Sequence, residues 1–238
     1  MLISELKSGA RALMKENAPK LFFVSMVFIA VSTVMAEFQF RLPGTSSAVE
    51  QFLERVTEGE FIGLGMIYSN FRPSGVALAA VLWLIRPVVD VGYISYCMKV
   101  NHRQDSDYRD LLDGFLFFSK ILIISVITTF LVLLGTLFFI FPGVIMHYMF
   151  RQAYYILLDS PDKGIFTCIS ESRRLMAGNK LDLFLLDLSF FGWHILNYLV
   201  VIYSPTPFTF PLILIWLAPY EGLARAAYFD KLIDRLLV

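Results

Sequence analysis

Long apolar stretches constrain the fold of this chain more than any other feature of its sequence. A helix needs about 20 mostly apolar residues to cross a bilayer. Stretches that approach or exceed this length lie at 21–38, 75–98, 118–141, 144–158, 183–203 and 208–224. The pattern predicts an all-α fold, a polytopic transmembrane helical bundle of about six spans that occupies residues 1–238 as a single integral membrane domain.

Composition agrees with this fold class. Hydrophobic residues make up 57% of the chain and charged residues 17%, whereas soluble domains carry about a quarter charged residues. The net charge is zero, so no bulk basicity indicates a nucleic-acid partner. The two cysteines, Cys97 and Cys168, lie far apart and outside any zinc-type spacing, and the sequence indicates neither a metal site nor a cofactor.

The distribution of basic residues predicts the orientation of the chain in the membrane. Fifteen of the 20 Lys and Arg residues lie before the first span, after the even-numbered spans or at the C-terminus. Because cytoplasmic loops carry the excess of Lys and Arg, we expect both termini in the cytoplasm of a bacterial-type cell and the protein in its inner membrane.

The sizeable external segment, residues 39–74, is predicted to be acidic and partly helical. Ser47 and Glu50 have capping-box spacing, and apolar residues then recur at helical intervals. We expect a short amphipathic helix that lies along the outer surface or caps the bundle.

An internal repeat groups the spans into pairs. Arg11–Phe22 aligns without gaps on Arg173–Phe184, and both segments lead directly into a span. Arg109–Phe115 is a weaker third copy, and Arg151–Tyr154 resembles Arg225–Tyr228 in the even-numbered spans. We interpret the chain as three pseudo-repeated hairpins, each preceded by a cytoplasmic interfacial helix; chance similarity among apolar segments is the alternative.

The interfacial helices carry clustered basic residues. Lys and Arg gain about 1 kcal/mol each near anionic lipid, and the apolar faces of such helices bury in the interface. We therefore predict the bilayer and the anionic lipid headgroups of its cytoplasmic face as partners, with anchoring as the main role. The residues concerned are Arg11, Lys15, Lys20, Arg173, Arg174 and Lys180.

Several motifs resemble a known family. Ser172–Lys180, Phe184–Trp193 and Leu217–Tyr220 are similar to segments of an uncharacterised bacterial membrane family, the domain of unknown function numbered 975. The resemblance covers about Gly92 to Leu232. It implies a multi-pass membrane protein with a distant similarity to the membrane domain of some glycerophosphodiester phosphodiesterases, and it supplies no activity or catalytic residue.

Ionisable residues inside the spans are the candidate site, because burying charge in lipid is costly. If the even-numbered spans face one another, six residues form an intramembrane polar cluster: Arg86, Asp90, Arg151, Tyr154, Glu221 and Arg225. An ion-pair network that fixes helix register is one interpretation, and a path for a small ion, peptide or lipid headgroup is another. Asp187 and Glu221 are also candidates for snorkelling to the interface.

Enzyme signatures are absent from the sequence: it has no HExxH, GxSxG or P-loop motif. The carboxylates between Asp105 and Asp113 are expected on a solvated face. We predict a non-catalytic envelope accessory, assembly or protection component, with a homo-oligomer or a membrane-protein partner. The alternative is a small transporter or channel-like subunit that uses the Arg/Asp cluster.

Overall fold

The computed structural model describes residues 3–42, 73–203 and 212–237, and the described residues are helical with connecting turns. These ranges contain ten α-helices, in chain order α1 (Ile3–Glu16), α2 (Ala18–Arg41), α3 (Pro73–Asn101), α4 (Asp113–Leu116), α5 (Phe118–Phe138), α6 (Ile140–Phe150), α7 (Ala153–Asp159), α8 (Ile165–Leu175), α9 (Lys180–Tyr203) and α10 (Leu212–Leu237). A 3-10 helix, Tyr108–Leu112, precedes α4. The expected external helix after Ser47 lies outside the described residues.

Membrane-length helices account for four of these elements. Within the described residues, α2, α3, α5 and the Lys180–Val200 part of α9 are long and apolar enough to cross a bilayer. The chain therefore has the helices of a membrane protein. Their outward surfaces are apolar: Phe130 is 60% exposed and Phe191 is 55% exposed, as expected of side chains that face lipid.

The predicted fourth span, 144–158, is divided in the structure into α6 and α7. The helix is interrupted at Arg151 and Gln152, where the Ser172 hydroxyl of α8 donates to the Met149 carbonyl at 2.8 Å. A carbonyl that accepts from a neighbouring helix competes with the helical ladder. Residues 212–224 of the last predicted span, 208–224, lie in α10, which continues to Leu237, and residues 208–211 lie outside the described residues.

The chain divides into two compact units, Met1–Ile29 with Val88–Val238, and Ala30–Pro87. The second unit contains the end of α2 and the start of α3, with exposed Phe38 and Trp83. The candidate site lies in the first unit, whose core consists of large apolar side chains, among them Leu21, Tyr96, Ile121, Leu183 and Tyr228.

Helix α1 is amphipathic and packs through one face. Leu6, Ala10 and Met14 recur at intervals of four residues and are buried, which is the spacing of one helix face. The helix lies against α10, and Lys231 of α10 pairs with Glu5 at 3.0 Å. The first interfacial helix is thus an integral part of the helical core.

Candidate functional site

Asp187 on α9 is the centre of a polar cluster that joins three helices. One carboxylate oxygen, Oδ2, accepts hydrogen bonds from Arg151 Nη1 and from the Tyr148 hydroxyl, the latter at 3.2 Å. The other oxygen, Oδ1, accepts from Arg225 Nε at 3.0 Å. Both oxygens of Asp187 are therefore occupied by donors from α10 and from the end of α6.

Glu221 extends the cluster along α10. Its Oε2 lies 3.2 Å from Arg225 Nη2, and its Oε1 lies 2.6 Å from His194 Nε2. The Glu221 side chain is only 8% exposed. We call Tyr148, Arg151, Asp187, His194, Glu221 and Arg225 the Asp187 cluster.

The charges of the Asp187 cluster compensate one another. Two guanidinium groups, Arg151 and Arg225, face two carboxylates, Asp187 and Glu221, so these four charges sum to zero. Taking a charge out of water costs several kcal/mol, so buried ions persist only when they are paired and hydrogen-bonded. The arrangement matches that requirement at each of the four charged groups.

Helical spacing brings these residues onto common faces. On α9, Asp187 shares its face with the buried Leu183 and Phe190, because residues three and four apart lie side by side. Glu221 and Arg225 are also four apart on α10. Asp187 follows Lys180 by seven residues, which places it about 10 Å along α9.

The structure brings together three of the six residues predicted for the polar cluster, namely Arg151, Glu221 and Arg225. Tyr154 instead interacts with Ser125 and Thr128 of α5 and with the charge of Asp90.

Arg86 and Asp90 lie four residues apart on α3, on either side of Pro87. Arg86 belongs to the second compact unit, and the Asp187 cluster lies in the first.

Sequence reasoning missed the central role of Asp187. Snorkelling was one interpretation of Asp187 and Glu221, but both pair with arginine inside the bundle. The available signal was the position of Asp187 on the same helical face as Leu183 and Phe190. A charged residue in register with large apolar residues indicates a buried ion pair rather than an interfacial one.

The acidic segment before α4 also differs from expectation. Asp110 and Asp113 accept hydrogen bonds from Lys99 Nζ at 2.8 and 2.7 Å, and Ser95 donates to Asp113 at 2.8 Å. Their side chains are 14% and 22% exposed. The prediction of a solvated face is wrong for these two residues, because they attach the segment to the end of α3.

The predicted interfacial basic residues have two kinds of placement. Arg11 and Lys15 lie on α1, and Arg173 and Arg174 lie in the last turn of α8. Lys20 and Lys180 lie in the first turns of the long helices α2 and α9. These basic residues thus lie on both sides of two junctions, one between α1 and α2 and the other between α8 and α9.

Within the described ranges, no group of three or more His, Cys, Asp or Glu residues could hold a metal ion. Cys97 and Cys168 are free and buried. Burial and then the neighbouring Glu171 carboxylate raise the pKa of the Cys168 thiol, which disfavours the reactive thiolate.

A comparison with family models supports the resemblance for the C-terminal part of the chain. Residues 140–235 match the family described as a protein of unknown function (DUF975). This range includes the whole Asp187 cluster. No curated protein and no solved structure matches the chain.

Proposed function

We propose that this chain is a non-catalytic, multi-pass inner-membrane protein that serves as an accessory, assembly or protection component of a bacterial envelope. The proposal includes six spans and both termini in the cytoplasm. The membrane-length helices and the match to a family of unknown function are compatible with it.

Two shorter or more polar helices complete the six spans in this proposal. The α6–α7 segment runs from Ile140 to Asp159 with helices of 11 and 7 residues. An uninterrupted helix of about 20 residues would extend about 30 Å, the thickness of the hydrocarbon core. Helix α10 contains 26 residues and is long enough to span although its second half is charged. In this topology the basic ends of α8 and α10 face the cytoplasm.

The three-hairpin interpretation is supported by equivalent hydrogen bonds at the start of α2 and α9. Asn17 Nδ2 donates to the Leu13 carbonyl at 3.1 Å, and Asn179 Nδ2 donates to the Leu175 carbonyl at 3.0 Å. These residues occupy matching positions in the aligned segments. Both asparagines therefore join a short amphipathic helix to the following long helix in the same way.

Equivalent side-chain pairs also follow these junctions. Ser25 of α2 and Asp187 of α9 lie at matching positions, eight residues after the two asparagines. The Ser25 hydroxyl lies 2.8 Å from the Tyr93 hydroxyl of α3, and Asp187 pairs with Arg225 of α10. Tyr93–Tyr96 of α3 resembles Arg225–Tyr228 of α10 through the tyrosine at its last position, and this weaker match places Tyr93 opposite Arg225.

The single observation that carries the non-catalytic proposal is the mutual compensation of charge in the Asp187 cluster. A catalytic or transporting group must be able to engage substrate, whereas each carboxylate of this cluster is held by an arginine. Breaking one of these buried ion pairs would leave an uncompensated charge, so the intact pairs favour one arrangement of the helices. We therefore assign the cluster the role of fixing how α6, α9 and α10 pack.

Proteoliposome flux separates this function from a transporter or channel-like subunit. The test compares wild type with a variant that replaces the network by apolar or neutral groups: Arg151→Met, Asp187→Leu, Glu221→Gln and Arg225→Met. We expect the same low permeability to protons, K⁺ and Cl⁻ in both folded proteins. A wild-type flux that disappears in the folded variant would support the transporter instead.

The proposed orientation is tested by cysteine labelling in intact cells. Single cysteines at Gln104 and Ser47, in a background of Cys97→Ala and Cys168→Ala, report the two sides of the membrane. We expect a membrane-impermeant maleimide to label position 47 and to label position 104 only after lysis. Labelling of position 104 from outside would contradict the N-in, C-in topology.

A further inference from the structure

We infer that Lys7 and Arg11 of α1, together with the aromatic residues of α9 and α10 beneath them, bind the phosphate of an anionic phospholipid. The inference rests on the membrane location in the proposed function but not on the number of spans. It assigns a defined site to the anionic lipid expected from the basic helices.

The two cations lie over one aromatic floor. Lys7 Nζ lies 4.5 Å from the centre of the Phe190 ring, and the Arg11 guanidinium lies 5.8 Å from the centre of the Tyr220 ring. The two rings contact each other edge to face at 5.0 Å. Because aromatic faces attract cations within about 6 Å, this floor holds both positive charges on the same side of the bundle.

In the described part of the chain, these positive charges have no paired carboxylate. Among the described residues no carboxylate pairs with Lys7 or Arg11, and the Lys7 ammonium donates to the Ser189 carbonyl at 3.3 Å. Other partly buried cations differ, since Lys99 and Lys163 each hold a carboxylate within 2.8 Å. Burial and then the Arg11 charge lower the pKa of Lys7. An anion between the two side chains would relieve both effects.

The site opens toward lipid. Ser189 follows Lys180 by nine residues, so Lys7 reaches about 13 Å along α9. Phe191, which follows Phe190 on α9, is 55% exposed. Charged side chains at this level of a span are accommodated by snorkelling and by local thinning of the bilayer, which draws headgroups toward them. A phospholipid phosphate at this level would supply the counter-charge that no carboxylate of the described residues supplies to Lys7 and Arg11.

An aromatic strip continues from the cationic end and favours a lipid over a free anion. The Trp216 ring lies 5.3 Å from Tyr220 and 5.4 Å from Trp193. The two tryptophans are 38% and 43% exposed. An acyl chain can cover this strip while its phosphate occupies the cationic end, whereas inorganic phosphate would use the cations alone.

Residues of the same charge outside the site provide a matched control. Arg173 occupies the position on α8 that aligns with Arg11, and it is exposed on the surface, like Lys15 of α1. Within the described residues neither has an aromatic ring contact. The pair Lys15→Gln with Arg173→Gln therefore removes the same charge as Lys7→Gln with Arg11→Gln but spares the aromatic floor.

Native mass spectrometry of the detergent-solubilised full-length protein measures the selectivity. Wild type is expected to retain phosphatidylglycerol at least fivefold better than phosphatidylcholine. The Lys7→Gln, Arg11→Gln variant should lose this preference, and the control variant should keep it. Equal retention of both lipids by wild type, or an equal loss in both variants, would overturn the site.

Tryptophan fluorescence in vesicles tests the site without altering its cations. In a Trp83→Phe background the remaining reporters are Trp193 and Trp216. Brominated phosphatidylglycerol should quench them more strongly than brominated phosphatidylcholine at the same mole fraction, and inorganic phosphate should not relieve the difference. Equal quenching would overturn the inference, and relief by phosphate would overturn the assignment to a lipid.

The outcome is distinguishable from failure of the proposed function. Loss of lipid selectivity leaves the flux and labelling results unchanged. Conversely, external labelling of position 104 would overturn the topology but would leave a measured preference for phosphatidylglycerol in place.

Discussion

Within the first unit, two helix pairs are joined by side-chain contacts of different chemistry. In the α2–α3 pair, Ser25 and Tyr93 join through one neutral hydrogen bond of 2.8 Å. In the α9–α10 pair, the residues that the proposed repeat aligns with them are Asp187 and Arg225, which pair with each other and belong to the Asp187 cluster. Tyr96 and Tyr228, which follow in α3 and α10, are both fully buried.

The neutral and the charged contact differ in how many helices they join. A neutral hydrogen bond is satisfied within its own two helices. Asp187 also holds Arg151 from a third helix, because one carboxylate can accept from two arginines. The charged pair consequently couples α6 to α9 and α10, whereas Ser25 and Tyr93 couple only α2 to α3.

The largest expected effect follows removal of the carboxylate at the centre of the cluster. Asp187→Ala leaves Arg151 with no charge partner among the described residues and leaves Arg225 with Glu221 as its one remaining partner there. We therefore expect a loss of about 3–5 kcal/mol in unfolding free energy. Reversible unfolding in mixed micelles measures it. A loss below that of Ser25→Ala would contradict the greater dependence of the charged pair on its partners.

Replacement of the whole network should largely reverse that loss. The variant with Arg151→Met, Asp187→Leu, Glu221→Gln and Arg225→Met removes the charges together, and apolar replacement of buried ion pairs is often neutral or stabilising. We expect its unfolding free energy to lie within about 1–2 kcal/mol of wild type. If it unfolds as readily as Asp187→Ala, the cluster stabilises the bundle by more than charge pairing.

The contact between the two helix pairs is tested at Gly222. A Cβ atom there would lie 2.5 Å from Cys97 Sγ and 3.3 Å from Tyr93 Cε1, so Gly222→Ala should cost about 1–3 kcal/mol. Cys97→Ala removes the nearer atom, and the double variant should recover part of the loss. Additive losses of unfolding free energy in the double variant would show that Gly222 and Cys97 are not in steric contact.

The neutral pair should tolerate substitution better. Ser25→Ala and Tyr93→Phe each remove one side of a buried hydrogen bond, and we expect about 1 kcal/mol for each. A double-mutant cycle should give a coupling energy of similar size, since the two hydroxyls are each other's partners. Additive losses would indicate that Ser25 and Tyr93 act separately.

The smallest effect concerns the junction asparagines. Asn17→Ala and Asn179→Ala each remove a hydrogen bond to the carbonyl four residues earlier, worth about 0.5–1.5 kcal/mol. Asn179 should lose slightly more, because its Oδ1 also accepts from Arg235 at 3.1 Å. Thermal unfolding of the two variants, compared side by side, measures the difference. A larger loss at Asn17 would contradict the extra stabilisation that we assign to the hydrogen bond between Asn179 and Arg235.

Much of the helical content could be predicted from apolar stretches, because a membrane span must satisfy its backbone internally and stay apolar along its length. The spans expected at 21–38, 75–98, 118–141 and 183–203 correspond to α2, α3, α5 and α9. Periodicity could not predict the interruption at Arg151 and Gln152. At that break the Met149 carbonyl accepts from Ser172, which lies more than 20 residues away in sequence and meets Met149 only in the folded chain.

The candidate site could be predicted only in part for a related reason. Arg151, Glu221 and Arg225 were recognisable as charges inside apolar segments, and helical spacing placed Glu221 beside Arg225. The partner of both arginines, Asp187, lies on a different helix. No spacing rule specifies which helices become neighbours, so the pairing of α6 and α10 through α9 required the tertiary structure.

The sequence by itself determined that this chain has membrane-length helices and charges among them, because length, apolarity and 3.6-residue periodicity are local properties. Only the tertiary structure decided that Asp187 holds two arginines and that Lys7 and Arg11 share an aromatic floor. The physical reason is that ion pairing and cation–π contact act over a few ångströms between side chains, and packing alone brings distant helices that close.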